Sequence, residues 1–439
     1  LAGLLEVAGY EVTTEPDQAD LIVLNTCSVR ERAQEKLFAR ISRLTAAGDG
    51  PRPLIAVVGC VAQQEGGRLL KRAPMVDLVV GTQALGRLPM MVEEVTQDTV
   101  PRVDINPYDD VSFPLGLAVR QDPVKAYVTI IEGCNDFCAF CVVPYTRGHE
   151  RMRSASEILD EVGEATAHGH SEIHLLGQIV NHYQAPDLPN CDFAGLLELV
   201  HDVPGVKRIR FASPHPRHVT HRLITAIRDL PKVCKHLHLP VQSGSSKVLT
   251  EMRRRYSRES YLELISEIRQ AIPNIALSTD MIVGFPGETD RDFAETLSLT
   301  KIVGYHSMFS FKYSERPNTL AAKRMPETVQ EAIKTRRLLE LQALQKGLQV
   351  KLHELAIGTT VDVLVDSQSR RRDTEYSGRT SNNTVVNFPG EPYWIGRIVN
   401  VRVLRVGPNS LWGRTLRDDA ESMRAGIAAM PDGVYSYED

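Results

Sequence analysis

Nowhere in the 439 residues do eighteen apolar residues run together, so no membrane-spanning helix is expected. No secretory signal is visible, and no low-complexity tract or internal repeat appears beyond an alternation of strand-like and helix-like segments. Neither sign of charge dominates. The chain has 51 Lys and Arg against 55 Asp and Glu, net −4, so any nucleic-acid surface must be local. Cysteine is scarce: the seven residues are odd in number and clustered, which excludes a secreted disulfide framework and favours reduced thiols binding metal. A cytoplasmic location is expected. The chain opens on Leu1 inside the amphipathic stretch "LAGLLEVAGYEV", so the true N-terminus is expected upstream. What is present, 42% hydrophobic and 24% charged residues, is the balance of a soluble globular protein, and the length calls for two to four domains.

The spacing of apolar residues predicts an α/β protein in three parts. "ADLIVLNT", "PLIAVVG" and "VDLVVGT" are apolar throughout, and "VRERAQEKLFARISRL" and "VAQQEGGRLLKRAP" between them read as helices, the first capped by Ser28. Such strands belong to a parallel sheet covered on both faces, here an N-terminal domain over 1–95. Residues 95–123 carry four prolines and no helical period, so 96–123 is expected to be a linker. Six βα units follow, with strands "AYVTII", "EIHLLG", "RIRFAS", "KHLHLP", "ALSTDMIVG" and "YHSMFSF". They predict a (βα)8-like barrel, complete or partial, whose active site lies at the strands' C-terminal ends. Ser154 with Glu157 reads as a capping box, Gly169 as a helix end, and Asp192 and Ser257 as caps. A long charged helix over Glu327–Leu355 closes this part, 124–356. Short strands over 357–418 predict a small β-barrel, and 419–439 a polar tail.

"EGCNDFCAFC" places Cys134, Cys138 and Cys141 at C-x3-C-x2-C spacing just beyond the first barrel strand, at the barrel mouth. Zinc would require a fourth ligand, and the nearby His149 has no partner at ligand spacing. A redox pair would leave one cysteine unused. Three structural cysteines are the bland alternative. Three thiolates without a fourth suit a cubane iron–sulfur cluster with one iron open to substrate.

This motif on this scaffold resembles the radical S-adenosylmethionine enzymes. The resemblance implies that Cys134, Cys138 and Cys141 hold a [4Fe–4S] cluster. Its open iron would chelate S-adenosylmethionine, which one electron splits to a 5′-deoxyadenosyl radical. "GCNDFCAFCVVPYTRG", "LLGQIVNHY", "HLPVQSGS", "STDMIVGFPGET" and "FKYSERPNT" together resemble the methylthiotransferases. "NTCSVRERAQEK" and "VVNFPG" are most similar to the MiaB branch, which modifies isopentenylated adenosine beside the tRNA anticodon. The resemblance covers nearly the whole chain. Ile179, where Asn is common, and Asn135–Asp136 depart from it without touching an expected ligand.

Further expectations follow from the resemblance. Cys27 and Cys60, each at a parallel strand end, would bind an auxiliary [4Fe–4S] cluster with a third cysteine upstream, and this cluster would take part in sulfur donation. S-adenosylmethionine would be both radical source and methyl donor, an electron donor such as flavodoxin or ferredoxin would be needed, and the enzyme would be a monomer. The C-terminal barrel resembles a TRAM RNA-binding domain. Between Val361 and Arg417 it has nine arginines against five acidic residues, and Arg370, Arg371, Arg372, Arg379, Arg397 and Arg414 are candidates for tRNA phosphates. The competing readings are the same chemistry on a ribosomal-protein aspartate and a non-catalytic iron–sulfur RNA-binding protein.

Gln178, Ser213, Gln242, Ser243 and Asp280 fall at or past strand ends and are the candidates to hold the cofactor's ribose and amino acid, Asp280 foremost for a ribose hydroxyl. Each is equally placed to satisfy loop backbone. Cys234, His236 and His238 alternate as C-x-H-x-H, for which the barrel interior is the plain explanation. Cys191 reads as incidental. "GFPGE" at 284–288 lacks the Lys-Ser/Thr ending of a phosphate loop and reads as a strand-to-helix turn near the adenine.

Overall fold

The computed structural model describes residues 1–27, 31–44, 52–106, 119–369 and 372–416. A first α/β unit runs α1 (Ala2–Val7), β1 (Leu21–Thr26), α2 (Glu31–Leu44), β2 (Leu54–Gly59), α3 (Cys60–Glu65), α4 (Gly67–Arg72), β3 (Leu78–Val80), α5 (Leu88–Asp98) and β4 (Arg102–Asp104). Its four strands are parallel in the order β1-β2-β3-β4. Side chains alternate across β2, so both faces are covered. Ile55 and Val57 pack with Leu37 and Ile41 of α2 and Leu69 of α4, while Ala56 and Val58 pack with Leu88, Val92 and Val95 of α5.

Two expectations are corrected here. The helix read from Val61 to Pro74 is two short ones, because Gly66 turns the chain at φ +52° against Ile105. The segment read as linker from residue 95 first completes α5 and then gives the sheet its fourth strand, too short to show a period. The Ser28 cap, most of the remaining linker, Arg370, Arg371 and the polar tail lie outside the described residues.

The central part begins with β5 (Lys125–Thr129), then β6 (Ile131–Glu132), α6 (Val143–Arg147), β7 (Arg151–Met152) and α7 (Ala155–Ala167). It continues through β8 (Glu172–Leu176), α8 (Phe193–Asp202), β9 (Arg208–Phe211), α9 (His221–Asp229), β10 (His236–His238), α10 (Ser246–Glu251) and α11 (Arg258–Ala271). It ends with β11 (Ala276–Val283), α12 (Asp290–Val303), β12 (Ser307–Lys312), α13 (Leu320–Arg324) and α14 (Glu331–Glu354). All six expected strands form. Parallel sheets β5-β8-β9 and β10-β11-β12 are joined by a bridge between Ile209 and Val233, and among the described residues β5 does not pair with β12. The result is an open, six-stranded partial barrel.

Outward-facing Ile173, Leu175 and Ile209 pack under α7, α8 and α9. Asp192 and Ser257 cap their helices as read, whereas Ser154 shows only the hydroxyl half of its box, accepting from the Glu157 N–H at 3.3 Å. The long helix starts at Glu331 rather than Glu327. Thr328 is held away from it, its hydroxyl accepting the Gly287 N–H at 2.8 Å.

Strands β13 (Thr360–Gln368), β14 (Glu375–Thr380), β15 (Val385–Pro389), β16 (Ile398–Val406) and β17 (Leu411–Thr415) close a barrel in the order β13-β14-β15-β17-β16. Val363, Val365, Phe388, Trp394, Val401 and Val403 fill it. This small barrel is docked on the N-terminal ends of the central strands. Arg208 donates to the Asp362 carboxylate at 2.6 Å and to the Arg379 carbonyl, and Lys125 reaches Asp366 at 2.8 Å. Arg210 donates to the Thr380 carbonyl at 2.8 Å and to Glu172 at 3.0 Å. The floor of the partial barrel is thereby closed. No helix among the described residues is long and apolar enough to cross a membrane.

Candidate metal centre at the barrel mouth

The three clustered cysteines sit on one loop that leaves β6 and is pinned on both sides. Gly133 starts it at φ +78°, where a Cβ would lie 2.0 Å from the His149 carbonyl oxygen, so no other residue fits. The Cys134 N–H donates to the Gly148 carbonyl at 3.1 Å and the Cys141 N–H to the Cys138 carbonyl at 3.0 Å. In the middle, the Ala139 N–H donates to Met252 and its carbonyl accepts from Ala321, at 3.0 and 2.8 Å. Ala139 is buried among Val248, Met252, Phe285, Tyr313 and Ala321. The "GFPGE" and "FKYSERPNT" segments are thus the bed beneath the loop.

Cys134 is buried, and Cys138 and Cys141 are half-buried. Burial pushes the thiols of Cys134 and Cys141 up to about 12, so metal loading must expel their protons. Two donors already face the sulfurs. The Asp136 N–H points at Cys134 Sγ from 3.5 Å, so Asp136, expected to stay clear of the ligands, touches one, and the buried guanidinium of Arg254 donates to Cys138 Sγ at 3.4 Å. Arg254 is itself fixed by the Pro240 carbonyl at 2.8 Å and the Tyr256 hydroxyl at 2.9 Å. Three thiols on one pinned loop, with a cation and an amide to offset thiolate charge, fit an iron–sulfur cluster.

Cys27 and Cys60 lie on the neighbouring unit. The Thr26–Gly59 register places them side by side at the C-terminal edge of the sheet, Cys60 buried at the head of α3 and Cys27 exposed. Helix α3 packs against α6, which follows directly on the cysteine loop. The seam is hydrogen-bonded: the Thr82 hydroxyl donates to the Thr146 carbonyl and the Gln83 amide to the Arg147 carbonyl at 3.3 Å. Cys191 is buried in the loop before α8, its thiol 3.8 Å from the Asp192 carbonyl, and Cys234 is buried just before β10.

The five residues expected to contact cofactor divide. Ser213 and Gln242 hold φ of +60° and +77°, unusual for residues with side chains and common where a site fixes the backbone. Gln178 Oε1 is buried without a hydrogen-bond partner, as if awaiting a ligand donor. Asp280 is half-exposed, with His238 Nε2 at 3.4 Å. Ser243 is fully buried and accepts from the Ser245 N–H at 3.2 Å, so it closes a turn. His236 and His238 both bond the Ser278 hydroxyl, at 3.0 and 2.9 Å, and burial drives His236 down to about 3. Two rings tied to one serine line the barrel interior.

Sequence reasoning missed Arg254, whose only signal is the "RRRY" run after α10, with Arg253 and Arg255 at φ +57° and +60°. It also missed Asp136, His215 and His218, which bring ligand-capable atoms within 4.8 Å of one another. His215 Nδ1 accepts the Arg217 N–H at 3.2 Å, which leaves the ring proton on Nε2, 3.5 Å from Asp136. Arg217 itself donates to Asp136 at 3.2 Å. Asp136 Oδ2 and His215 Nε2 face each other beside the cysteine loop, both buried and neither completing a hydrogen bond. On the small barrel, Arg372 pairs with Glu375 at 2.8 Å, Arg379 bonds Asn383, and Arg397 lies over Tyr393. Arg414 pairs in register with Arg402.

Residues 128–300 match the Radical SAM superfamily, residues 1–81 match "Uncharacterized protein family UPF0004", and residues 354–416 match the TRAM domain. The chain is 45% identical over 410 residues to the tRNA-2-methylthio-N(6)-dimethylallyladenosine synthase of Bordetella pertussis, covering 92% of each. It is 44% identical over 419 residues to that of Yersinia pseudotuberculosis, covering 95% of this chain and 88% of the relative. Among solved structures it is similar in fold to the radical S-adenosylmethionine methyltransferase TsrM from Kitasatospora setae. There the TM-score is 0.52 and the identity 15%, over 73% of this chain and 68% of that one.

Proposed function

The chain belongs to the tRNA-2-methylthio-N6-dimethylallyladenosine synthase family, and from that premise we propose that it adds a methylthio group to N6-isopentenyladenosine beside the anticodon of tRNA. It is a radical S-adenosylmethionine transferase, which carries with it S-adenosylmethionine and a [4Fe–4S] cluster. Cys134, Cys138 and Cys141 are the ligands of that cluster. Cys27 and Cys60 contribute to a second one, on the sulfur-donating side. When bound, the clusters supply the electron that splits S-adenosylmethionine into a hydrogen-abstracting radical, and the sulfur that joins the carbon. The small barrel binds tRNA, the electron arrives from a flavodoxin- or ferredoxin-type donor, and the enzyme works as a cytoplasmic monomer.

The residues of this chain do the positioning. An aromatic C–H offers no acidic proton and no leaving group, so a polar enzyme has nothing to act on there. The chain must instead hold cofactor, base and sulfur source within one shielded space. The backbone strain at Ser213 and Gln242 supports their place at strand ends facing the cofactor, and to Asp280 we assign a ribose hydroxyl. Arg254 offsets charge at Cys138 and Arg217 at Asp136.

The observation that carries this reading is the packing of α3, headed by Cys60, on α6, which follows Cys141. The seam joins the domain that carries Cys27 and Cys60 to the one that carries the cysteine loop. The test is mass spectrometry of tRNA nucleosides from cells with and without the gene. We expect 2-methylthio-N6-isopentenyladenosine to vanish and N6-isopentenyladenosine to accumulate. Unchanged nucleosides would overturn the reading.

A further inference from the structure

Three aromatic rings crowd the rim of the cysteine loop without entering any core. Phe137 and Tyr145 leave 38% and 43% of their surface exposed, unusual for large rings beside a buried centre, and His149 is exposed with them. They form one patch. The Phe137 ring lies 6.3 Å from Tyr145, edge-on at 81°, and 6.2 Å from His149 at 60°. His149 is fixed by Asn135 Oδ1 at 2.9 Å, and the exposed Lys323 ammonium stands 5.7 Å from the Tyr145 ring centre. Phe137 also holds φ +45°, a left-handed conformation that bulky residues rarely adopt. Folding gains nothing from placing an exposed phenyl ring there, one residue before Cys138. A ligand would.

We propose that Phe137, Tyr145 and His149 form a stacking platform for an unpaired nucleobase next to the adenosine being modified, with Lys323 on its phosphate. The proposal rests on the tRNA reading above. To reach a centre inside the barrel mouth, the reacting base must leave its stack, and its neighbour then loses a stacking partner. Exposed aromatic faces beside the entrance replace that partner, and they do so for any base, since every base has a π-face. The cation by Tyr145 selects a charged strand over an apolar peptide.

The experiment uses cluster-loaded protein and an anticodon stem-loop carrying N6-isopentenyladenosine with 2-aminopurine in place of an adjacent base. Binding by the parent protein should quench the 2-aminopurine fluorescence. Phe137→Ala and Tyr145→Ala should each weaken binding about 5- to 150-fold and leave the fluorescence high. Phe137→Trp and Tyr145→Phe, which keep a ring, should bind and quench like the parent. Iron per chain is measured on every variant. If Phe137→Ala loses iron, Tyr145→Ala and His149→Ala decide. Parental affinity and quenching in iron-replete alanine variants would overturn the platform. So would a change in self-association without a change in RNA binding, which would assign the rings to a protein contact. If the parent, extended upstream to carry the expected third cysteine, forms no methylthiolated nucleoside from the stem-loop, the substrate reading fails instead, whatever the quenching shows.

Discussion

Replacing Arg210 with alanine should detach the small barrel from the floor of the large one. Arg210 is 6% exposed and Glu172 1%, and the guanidinium donates to Glu172 at 3.0 Å, Thr380 at 2.8 Å and Ser381 at 3.3 Å. Alanine would leave the Glu172 carboxylate with His174 alone, at 2.7 Å, and two carbonyls facing a cavity. Removing one partner of a buried pair costs about 3–5 kcal/mol. Because the loss falls at a domain interface, it should appear as local opening rather than global unfolding. Amide hydrogen exchange over 375–389, followed by mass spectrometry, should speed up by roughly 10²- to 10⁴-fold.

Acidity gives a second readout of the same contact. Burial would raise the Glu172 pKa, but the hydrogen bond from His174 and the charge of Arg210 outweigh it and hold the carboxyl down to about 2. A depressed carboxyl contributes stability that is complete above its ordinary range near 4.5 and lost as pH falls through about 2. Without Arg210 the carboxyl rises, so the β14–β15 hairpin should open at higher pH than in the parent. The double replacement Arg210→Met with Glu172→Leu removes both charges and should restore much of the protection. Unchanged exchange in Arg210→Ala would refute the idea that this pair holds the domains together.

Substituting any one of Cys134, Cys138 and Cys141 by alanine should remove iron and all 5′-deoxyadenosine formation, read by iron assay and chromatography; retained cofactor cleavage would sink the ligand assignment. Gly133→Ala should do the same without touching a ligand, since its Cβ would overlap the His149 carbonyl oxygen, and normal iron loading would show that the loop can yield. Arg254→Met removes a charged donor worth about 1.5–3 kcal/mol from Cys138, so the cluster's reduction potential should fall by roughly 60–120 mV. A potentiometric titration followed by electron paramagnetic resonance checks it, and an unmoved potential would mean that the contact is only steric.

The sequence displayed the architecture because the strands of the two α/β parts are apolar throughout and several helices have a start signal. All six central strands formed where the apolar runs placed them, and the short strands expected over 357–418 closed the small barrel. Elements set by a single residue or by tertiary pairing were hidden. Gly66 breaks a helix whose pattern reads as continuous, and the three-residue β4 exists only because β3 offers it an edge. At the site, the cysteine spacing was legible as chemistry. Arg254 was not, because it reaches Cys138 across 116 positions of sequence. Nor was the pairing of His215 with Asp136, which joins the end of β9 to the cysteine loop.

The position of the small barrel sets a length. It sits under the N-terminal ends of the central strands, while the cysteines lie past their C-terminal ends. A five-residue strand such as β8, at about 3.3 Å per residue, separates the two ends by roughly 17 Å before any loop is counted. A free nucleoside is too small to touch both. On the reading proposed above, a structured RNA that grips the small barrel while presenting one base at the mouth would run along the outside of the large barrel, and reach as well as base would select it.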